Sequence, residues 1–492
     1  MENELLFTQE IPENLGIHSE DIERMIIDFE EYGMYMHSFL LMRHGKVAAE
    51  GYYKPFERDE LHRIYSISKT FTGTAIGLLC DEGKLSLEDC VCKFFPDKIT
   101  SELHEYVKEM RIRDLLMMST PFYSVSYADS KDWVHTFLHA KPNHPAGTIF
   151  SYDTLGTCVL SIIVERITGK PYLDYLKDKV LRELGFSEEA WCLKNSEGNS
   201  WGGSGIMCTT RDLARLGLLY MGKGQIGGKQ YLSREYAEAA TTRQIDNDTA
   251  GHQEHYKYGY GYKIWITRDG SFSFWGMGGQ YVICIPKKEL LFVCTADIQG
   301  DGSTERLVYE LLWKNVVNKL SDRPLKENLQ AFDSLKNKVD HLELYKIKGA
   351  AHAEKEKDLN DQRYVLEENR MEISELRLVF LEEYGKFCYK TPRGDKEILF
   401  GYGEYKIGEF PEEHYWGDTV NVPAERRYRC AAMGVWTQED KLVIKVNIID
   451  WYLGNLTINI GFKGDQIGVY MFKAAELFLD EYRGMAGGRK KK

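Results

Sequence analysis

The stretch "LHRIYSISKTFTGTAIGLLCDEG", residues 61–83, sets a serine, Ser66, one helical turn ahead of a lysine, Lys69, at the mouth of an apolar segment. A spacing of three puts both side chains on one helix face, and the unpaired N–H groups of a first turn surround the serine oxygen with positive potential. Serine is a poor nucleophile at neutral pH without an adjacent base, and a lysine held in an apolar pocket can share that work. A plainer reading has Ser66 capping the helix while Lys69 points to solvent. Ser-x-x-Lys occurs once in the chain, but two common residues at a fixed offset match by chance, so the spacing alone leaves both readings open.

Working outward, 492 residues with 43% hydrophobic and 13% aromatic content predict two globular domains. A formal net charge of -12, with one dense basic run at the terminal "RKKK", offers no surface for a phosphate backbone, so no nucleic-acid partner is expected. The N-terminus "MENELLFTQEIPENLG" is acidic where a signal peptide is basic, and no apolar stretch is long enough to span a bilayer. The expectation is a cytoplasmic protein without a membrane partner. The ten cysteines are scattered through apolar segments without zinc or redox spacing. No structural disulfide is expected between Cys90 and Cys92, the one close pair among them.

Residues 18–33 read as an amphipathic helix, and "HSFLLMRHGKVAAEGYY" as a hairpin turning at His44-Gly45. Residues 101–240 are mainly helical, with loops at "STPFYSVSYADS", "KPNHPAGTIF" and "NSEGNSWGGSG". Three runs, "YGYGYKIWI", "SFSFWGMGGQYVICIP" and "ELLFVCTAD", read as consecutive antiparallel strands. The result is an α+β domain over 1–320 whose antiparallel sheet is flanked by helices. A charged, partly helical linker covers 321–359, and the strand-rich remainder, 360–492, predicts an all-β barrel or sandwich.

Two segments bear on Ser66. "HPAGTIFSYDTLGTCVLSIIVERITGKPYLDYL" sets Tyr152 at a loop end just before a helix, where a phenol can transfer protons. "FWGMGGQYVICIP" sets a glycine-rich turn at a strand head, where a backbone N–H can serve an oxyanion hole. With these the chain resembles the serine β-lactamase and penicillin-binding-protein family, in its class C-like branch of esterases, D-aminopeptidases and 6-aminohexanoate-dimer hydrolases. The resemblance runs over roughly residues 15–318 and includes Ser66 and Lys69, Tyr152 to Thr154 at the family's Tyr-x-Asn position, and Trp275 to Gly278 at its third motif. "RHGKVAAEGYY", "KLSLEDCVCKFFPDKIT", "RIRDLLMMS", "GGSGIMCTTRDLARLGLLY" and "YGYGYKIW" add to it.

The resemblance implies that Ser66 is acylated, that Lys69 and Tyr152 jointly move its proton, and that water releases the acyl group. It implies oxyanion donors at the Ser66 N–H and at Met277 or Gly278. Two departures weaken β-lactam or D-peptide chemistry: "YDT" replaces Tyr-x-Asn, leaving Thr154 for the amide, and Trp275 replaces the lysine of Lys-Thr-Gly. An apolar pocket lined by Tyr123, Tyr127, Tyr258 and Tyr260 is expected beside Trp275. His135 and His139 have metal-ligand spacing without the glutamate of His-Glu-x-x-His, and His252 and His255 are a weaker pair, so neither a metal nor a cofactor is expected. No Gly-x-Ser-x-Gly elbow is present, and "GGSG" at 202–205 reads as a tight loop bordering the site.

The expected function is hydrolysis of a small ester or amide. The alternatives are acyl transfer through the same acyl-enzyme, β-lactamase or D-peptidase action, and a homologue that has lost turnover and binds a ligand or partner. A homo-oligomer is compatible with all of them.

Overall fold

The computed structural model describes residues 6–127, 130–248, 257–299, 302–412, 420, 428–475 and 479–491; His252 and His255 lie outside these. The chain forms two compact units, the first from Met1–Ala296, Ser303–Glu343 and Gly417–Asn421, the second from Asp297–Gly302, Leu344–Trp416 and Val422–Lys492.

The first unit is built on six antiparallel strands, Met36–Arg43 (β1), Lys46–Tyr52 (β2), Trp265–Ile266 (β3), Phe272–Gly276 (β4), Gln280–Ile285 (β5) and Leu290–Ala296 (β6), in the order β2-β1-β6-β5-β4-β3. Every residue of β1 and β6 is buried, because helices cover both faces of the sheet. Helix Thr210–Met221 (α4) lies on one face, where a Cβ added at Gly217 would approach Val282 and Leu291 to 2.8 Å. Tyr309 of helix Gly302–Asn315 (α5) meets Tyr281 edge-on at 5.5 Å on the other. The remaining long helices of this unit are Ser19–Glu31 (α1), Ser68–Asp81 (α2), Thr154–Thr168 (α3) and Leu329–Asp340 (α6). The hairpin turns as expected, with His44 and Gly45 both left-handed at φ 51° and 73°.

Two expectations need revision. Most of "YGYGYKIWI" is not strand: only Trp265–Ile266 pairs along β4, because Gly259 and Lys263 take φ 108° and 60° and break the extended run. The charged stretch 321–359 is shared between the units. Its helix α6 packs on α1, with Ser334 Oγ donating to Glu23 at 3.0 Å and Lys338 Nζ to Glu30 at 2.6 Å.

The second unit is a barrel of Arg363–Leu366 (β7), Glu375–Phe380 (β8), Gly385–Thr391 (β9), Gly394–Tyr402 (β10), Lys406–Phe410 (β11), Tyr428–Gln438 (β12), Lys441–Ile449 (β13), Leu453–Lys463 (β14), Gln466–Ala474 (β15) and Gly484–Lys490 (β16). The ring runs β10-β9-β8-β7-β16-β15-β14-β13-β12 and closes through a short parallel pairing of β10 with β12, Gly401 against Met433 and Tyr402 against Gly434, while β11 adds to β12. Alternation drives it: in β15 Ile467, Val469 and Met471 are buried between exposed Gln466, Gly468 and Tyr470. The seam uses glycine for close approach, since a Cβ at Gly434 would sit 2.5 Å from the Phe400 ring.

Candidate active site

Ser66 sits in a single 3-10 turn, Tyr65–Ile67, immediately before α2. Tyr65 is left-handed at φ 46°, uncommon for an aromatic residue, so the chain is bent sharply where the serine is presented. Neither element carries a side-chain cap bond from Ser66. Lys69 is 1% exposed. Its Nζ lies 2.9 Å from Ser66 Oγ and donates to Gly203 O at 2.6 Å. The capping reading, with Lys69 in solvent, is thereby overturned.

The loop that supplies this carbonyl is the predicted "GGSG". Gly202 O accepts from Thr72 Oγ1 at 2.9 Å, and buried Arg63 donates to Ser204 O at 2.6 Å while lying over the rings of Tyr65 and Trp201. Glycine is required here because a Cβ at Gly203 would come within 2.7 Å of Thr154 Cγ2 and 2.9 Å of Thr154 O. Thr154, the first residue of α3, thus packs behind the loop that holds Lys69.

Tyr152 precedes α3 by two residues, on a loop tied to 118–123 by Ser151 N–H to Met118 O at 2.7 Å and Ser151 Oγ to Tyr123 O at 2.8 Å. The Lys69 Nζ stands 5.1 Å from the Tyr152 ring centroid, and the other side of the wall is Trp265, stacked on Tyr152 at 5.6 Å. Trp275 meets Trp265 at 5.8 Å. Ser66, Tyr152, Trp275 and Met277 are half-buried, whereas Lys69 and Trp265 are buried.

The remaining expected residues divide. Tyr123 is 83% exposed at the lip, and Tyr258 is also exposed. Tyr127 packs edge-on against Trp133 at 5.3 Å. Tyr260 is fully buried between Phe150 and Trp265, so it supports the wall from behind and does not line a pocket. His135 and His139 stack on each other at 4.1 Å.

At the third motif β4 runs against the serine turn, where a Cβ at Gly276 would lie 2.3 Å from Ile64 O. The Gly278 N–H is engaged, donating to Glu305 Oε1 of α5 at 2.8 Å. No acceptor among the described residues meets the Met277 N–H. Of the two expected oxyanion donors, Met277 is the one left unengaged.

Several residues around the site escaped the sequence reading. Gly203 contributes a carbonyl, which has no side-chain signature. Asp153 was visible in "YDT" only as the unassigned residue between Tyr152 and Thr154, and Lys263 in "YGYGYKIW" only as part of a strand; both are buried. Behind the serine turn His62 accepts or donates at 2.7 Å from His37, and burial depresses its imidazole to about 4.

Residues 22–312 match the profile of the family described as Beta-lactamase. The chain is 26% identical over 281 residues to the 6-aminohexanoate-dimer hydrolase of Paenarthrobacter ureafaciens, covering 52% of this chain and 71% of that protein. Its fold is similar to that of EstCE1, a hydrolase with promiscuous acyltransferase activity, at TM-score 0.52 and 15% identity over 60% of this chain and 99% of the other. It is also similar to the octameric penicillin-binding protein homologue from Pyrococcus abyssi, at TM-score 0.50 and 16% identity over 95% of this chain and 99% of the other.

Proposed function

Because the chain belongs to the beta-lactamase family, which supports a hydrolase, we propose that it cleaves a small ester or amide through an acyl-Ser66 intermediate. The observation that carries this reading is the Lys69 amine, buried, 2.9 Å from Ser66 Oγ and pinned by the Gly203 carbonyl. A lysine so held has no role as a surface charge, and its amine is in hydrogen-bond reach of the serine hydroxyl.

In the proposed reaction Ser66 Oγ attacks the acyl carbon. Its proton passes through Lys69 and Tyr152 to the leaving alcohol or amine, the bond to that group breaks, and an ester of Ser66 remains. Water then attacks the ester, gives its proton to the same pair, and frees the acid and the serine. The N–H groups of Ser66 and Met277 carry the oxyanion, a donor of that kind being worth ~3 kcal/mol in the transition state. A positioned base adds about two to four orders of magnitude. The half-buried rings of Tyr152 and Trp275, backed by Trp265, favour an apolar acyl or leaving group, in keeping with an ester or a simple amide. The relative named a 6-aminohexanoate-dimer hydrolase supports the amide side of this class.

Intact mass after exposure to a fluorophosphonate tests the proposal. Wild type should gain one adduct, Ser66→Ala none, and Lys69→Met and Tyr152→Phe should react at least a hundredfold more slowly. An adduct that survives Ser66→Ala, or none on wild type, refutes it.

A further inference from the structure

Gln280, the first residue of β5, is fully buried. Its Oε1 accepts the Ala296 N–H at 3.1 Å, and its Nε2 donates to Ala296 O at 2.7 Å and to Met277 O at 3.0 Å. The two carbonyls fix which end of the amide carries the hydrogens. Two of these bonds complete the sheet. The pairing of β5 with β6 runs from Ile285 and Leu290 to Tyr281 and Cys294, and at Ala296 the Gln280 side chain takes over from the backbone. The bond to Met277 O has no part in the sheet and reaches into the turn between β4 and β5.

The same turn is held from a second element. Glu305 of α5, also buried, accepts the Gly278 N–H through Oε1 at 2.8 Å. Met277 O and the Gly278 N–H belong to one planar peptide, so that peptide is gripped at its carbonyl by Gln280 and at its N–H by Glu305. Its own preference is weak: Gly278 and Gly279 stand at φ 80° and 93°, and glycine takes either sign of φ with similar ease. Turning the peptide over would set its carbonyl oxygen against the Glu305 carboxylate. On the other side of Met277, β4 ends against the serine turn, where a Cβ at Gly276 would lie 2.3 Å from Ile64 O. Met277 thus stands between a strand end seated on the serine turn and a peptide clamped by two buried side chains.

We propose that Gln280 and Glu305 are positioning residues, holding the Met277–Gly278 peptide so that the Met277 N–H, and not that of Gly278, serves the oxyanion of the Ser66 reaction. The inference rests on the acyl-serine reading above. In this role neither side chain transfers a proton. A donor already in place costs no reorganisation as charge develops on the acyl oxygen, whereas a glycine-rich turn free to rearrange forfeits part of that gain.

The test is the second-order rate constant of fluorophosphonate labelling of Ser66 on the full chain, since the phosphoryl oxygen of the probe stands in for the acyl oxygen. The end-point of labelling counts the folded sites. Gln280→Met, which removes both donors, and Glu305→Leu, which removes the acceptor, should each slow labelling by about ten- to a hundredfold, a part of what a lost oxyanion donor costs. Gln280→Glu keeps an acceptor for the Ala296 N–H but loses the donors; it should be as slow as Gln280→Met and carries the test where that variant folds poorly. Glu305→Gln keeps a carbonyl for the Gly278 N–H and should label within about threefold of wild type. Because both residues grip one peptide, the double variant Gln280→Met/Glu305→Leu should be little slower than the slower single, whereas independent effects multiply. A purely structural role would lower the end-point and leave the rate of the remaining sites unchanged. Single variants that label at the wild-type rate, a Glu305→Gln as slow as Glu305→Leu, or a double variant slowed by the product of the singles overturns the inference alone. Wild type that takes no label overturns the acyl-serine reading and this inference with it.

Discussion

Gly203→Ala probes the link between the 202–205 loop and the lysine. The new Cβ would lie 2.7 Å from Thr154 Cγ2, 2.9 Å from Thr154 O and 3.2 Å from Cys158 Sγ, against ordinary contact from 3.4 Å. The methyl can turn away, but the carbonyl opens α3 and cannot, so residue 203 must retreat by about half an ångström. Overpacking of this kind costs roughly 1–3 kcal/mol, which lowers the thermal midpoint by about 1–4 °C in a unit of this size. The same retreat withdraws Gly203 O from the Lys69 Nζ that it holds at 2.6 Å. Labelling of Ser66 should therefore slow by roughly ten- to a hundredfold, a fraction of the full effect of a general base. Adding Thr154→Ser removes the nearest carbon and should recover part of both losses. Gly461→Ala, whose added carbon meets nothing within 4 Å, is the control and should change neither. Labelling at the wild-type rate in a destabilised Gly203→Ala would refute the claim that this carbonyl positions the lysine.

Two other predictions concern stability. The His62 imidazole, depressed to about 4 from 6.5 by burial, stays neutral in the folded chain while the unfolded chain takes up a proton below 6.5. Its contribution is full above pH 6.5 and is lost as pH falls from there to about 4, at most roughly 3 kcal/mol, and denaturant midpoints across that range should fall more steeply for wild type than for His62→Gln. Parallel curves would refute this; the comparison with the variant is needed because buried Asp212 and Asp297, whose carboxyls burial raises, push the wild-type curve the other way. In the barrel, Gly434→Ala would drive a carbon to 2.5 Å from the Phe400 ring and should cost about 1–3 kcal/mol, measured by chemical denaturation. A cost near zero would mean that the β10–β12 seam is looser than the close approach implies.

Local order determines what the sequence by itself could tell. The Ser66–Lys69 spacing, the His44-Gly45 turn and the alternation of Ile467, Val469 and Met471 are relations between near neighbours, where backbone geometry alone sets which side chains share a face. They were enough for the strand-rich second unit, and together with the resemblance to the β-lactamase family they gave the expected fold of the first unit and the residues to be tested as nucleophile and base. Tertiary structure decided everything that depends on groups distant in sequence. Gly203 reaches Lys69 across 134 residues, Glu305 takes the Gly278 N–H across 27, and Lys263 joins Met118 across 145. A carbonyl carries no residue identity, and a buried charge looks like a surface charge until its surroundings are known. Lys263 was hidden further by its left-handed backbone, which turned an expected strand into a loop. Barrel closure likewise rests on a two-residue parallel pairing that no alternation pattern encodes, because it arises only when the twisted sheet brings its first and last strands together.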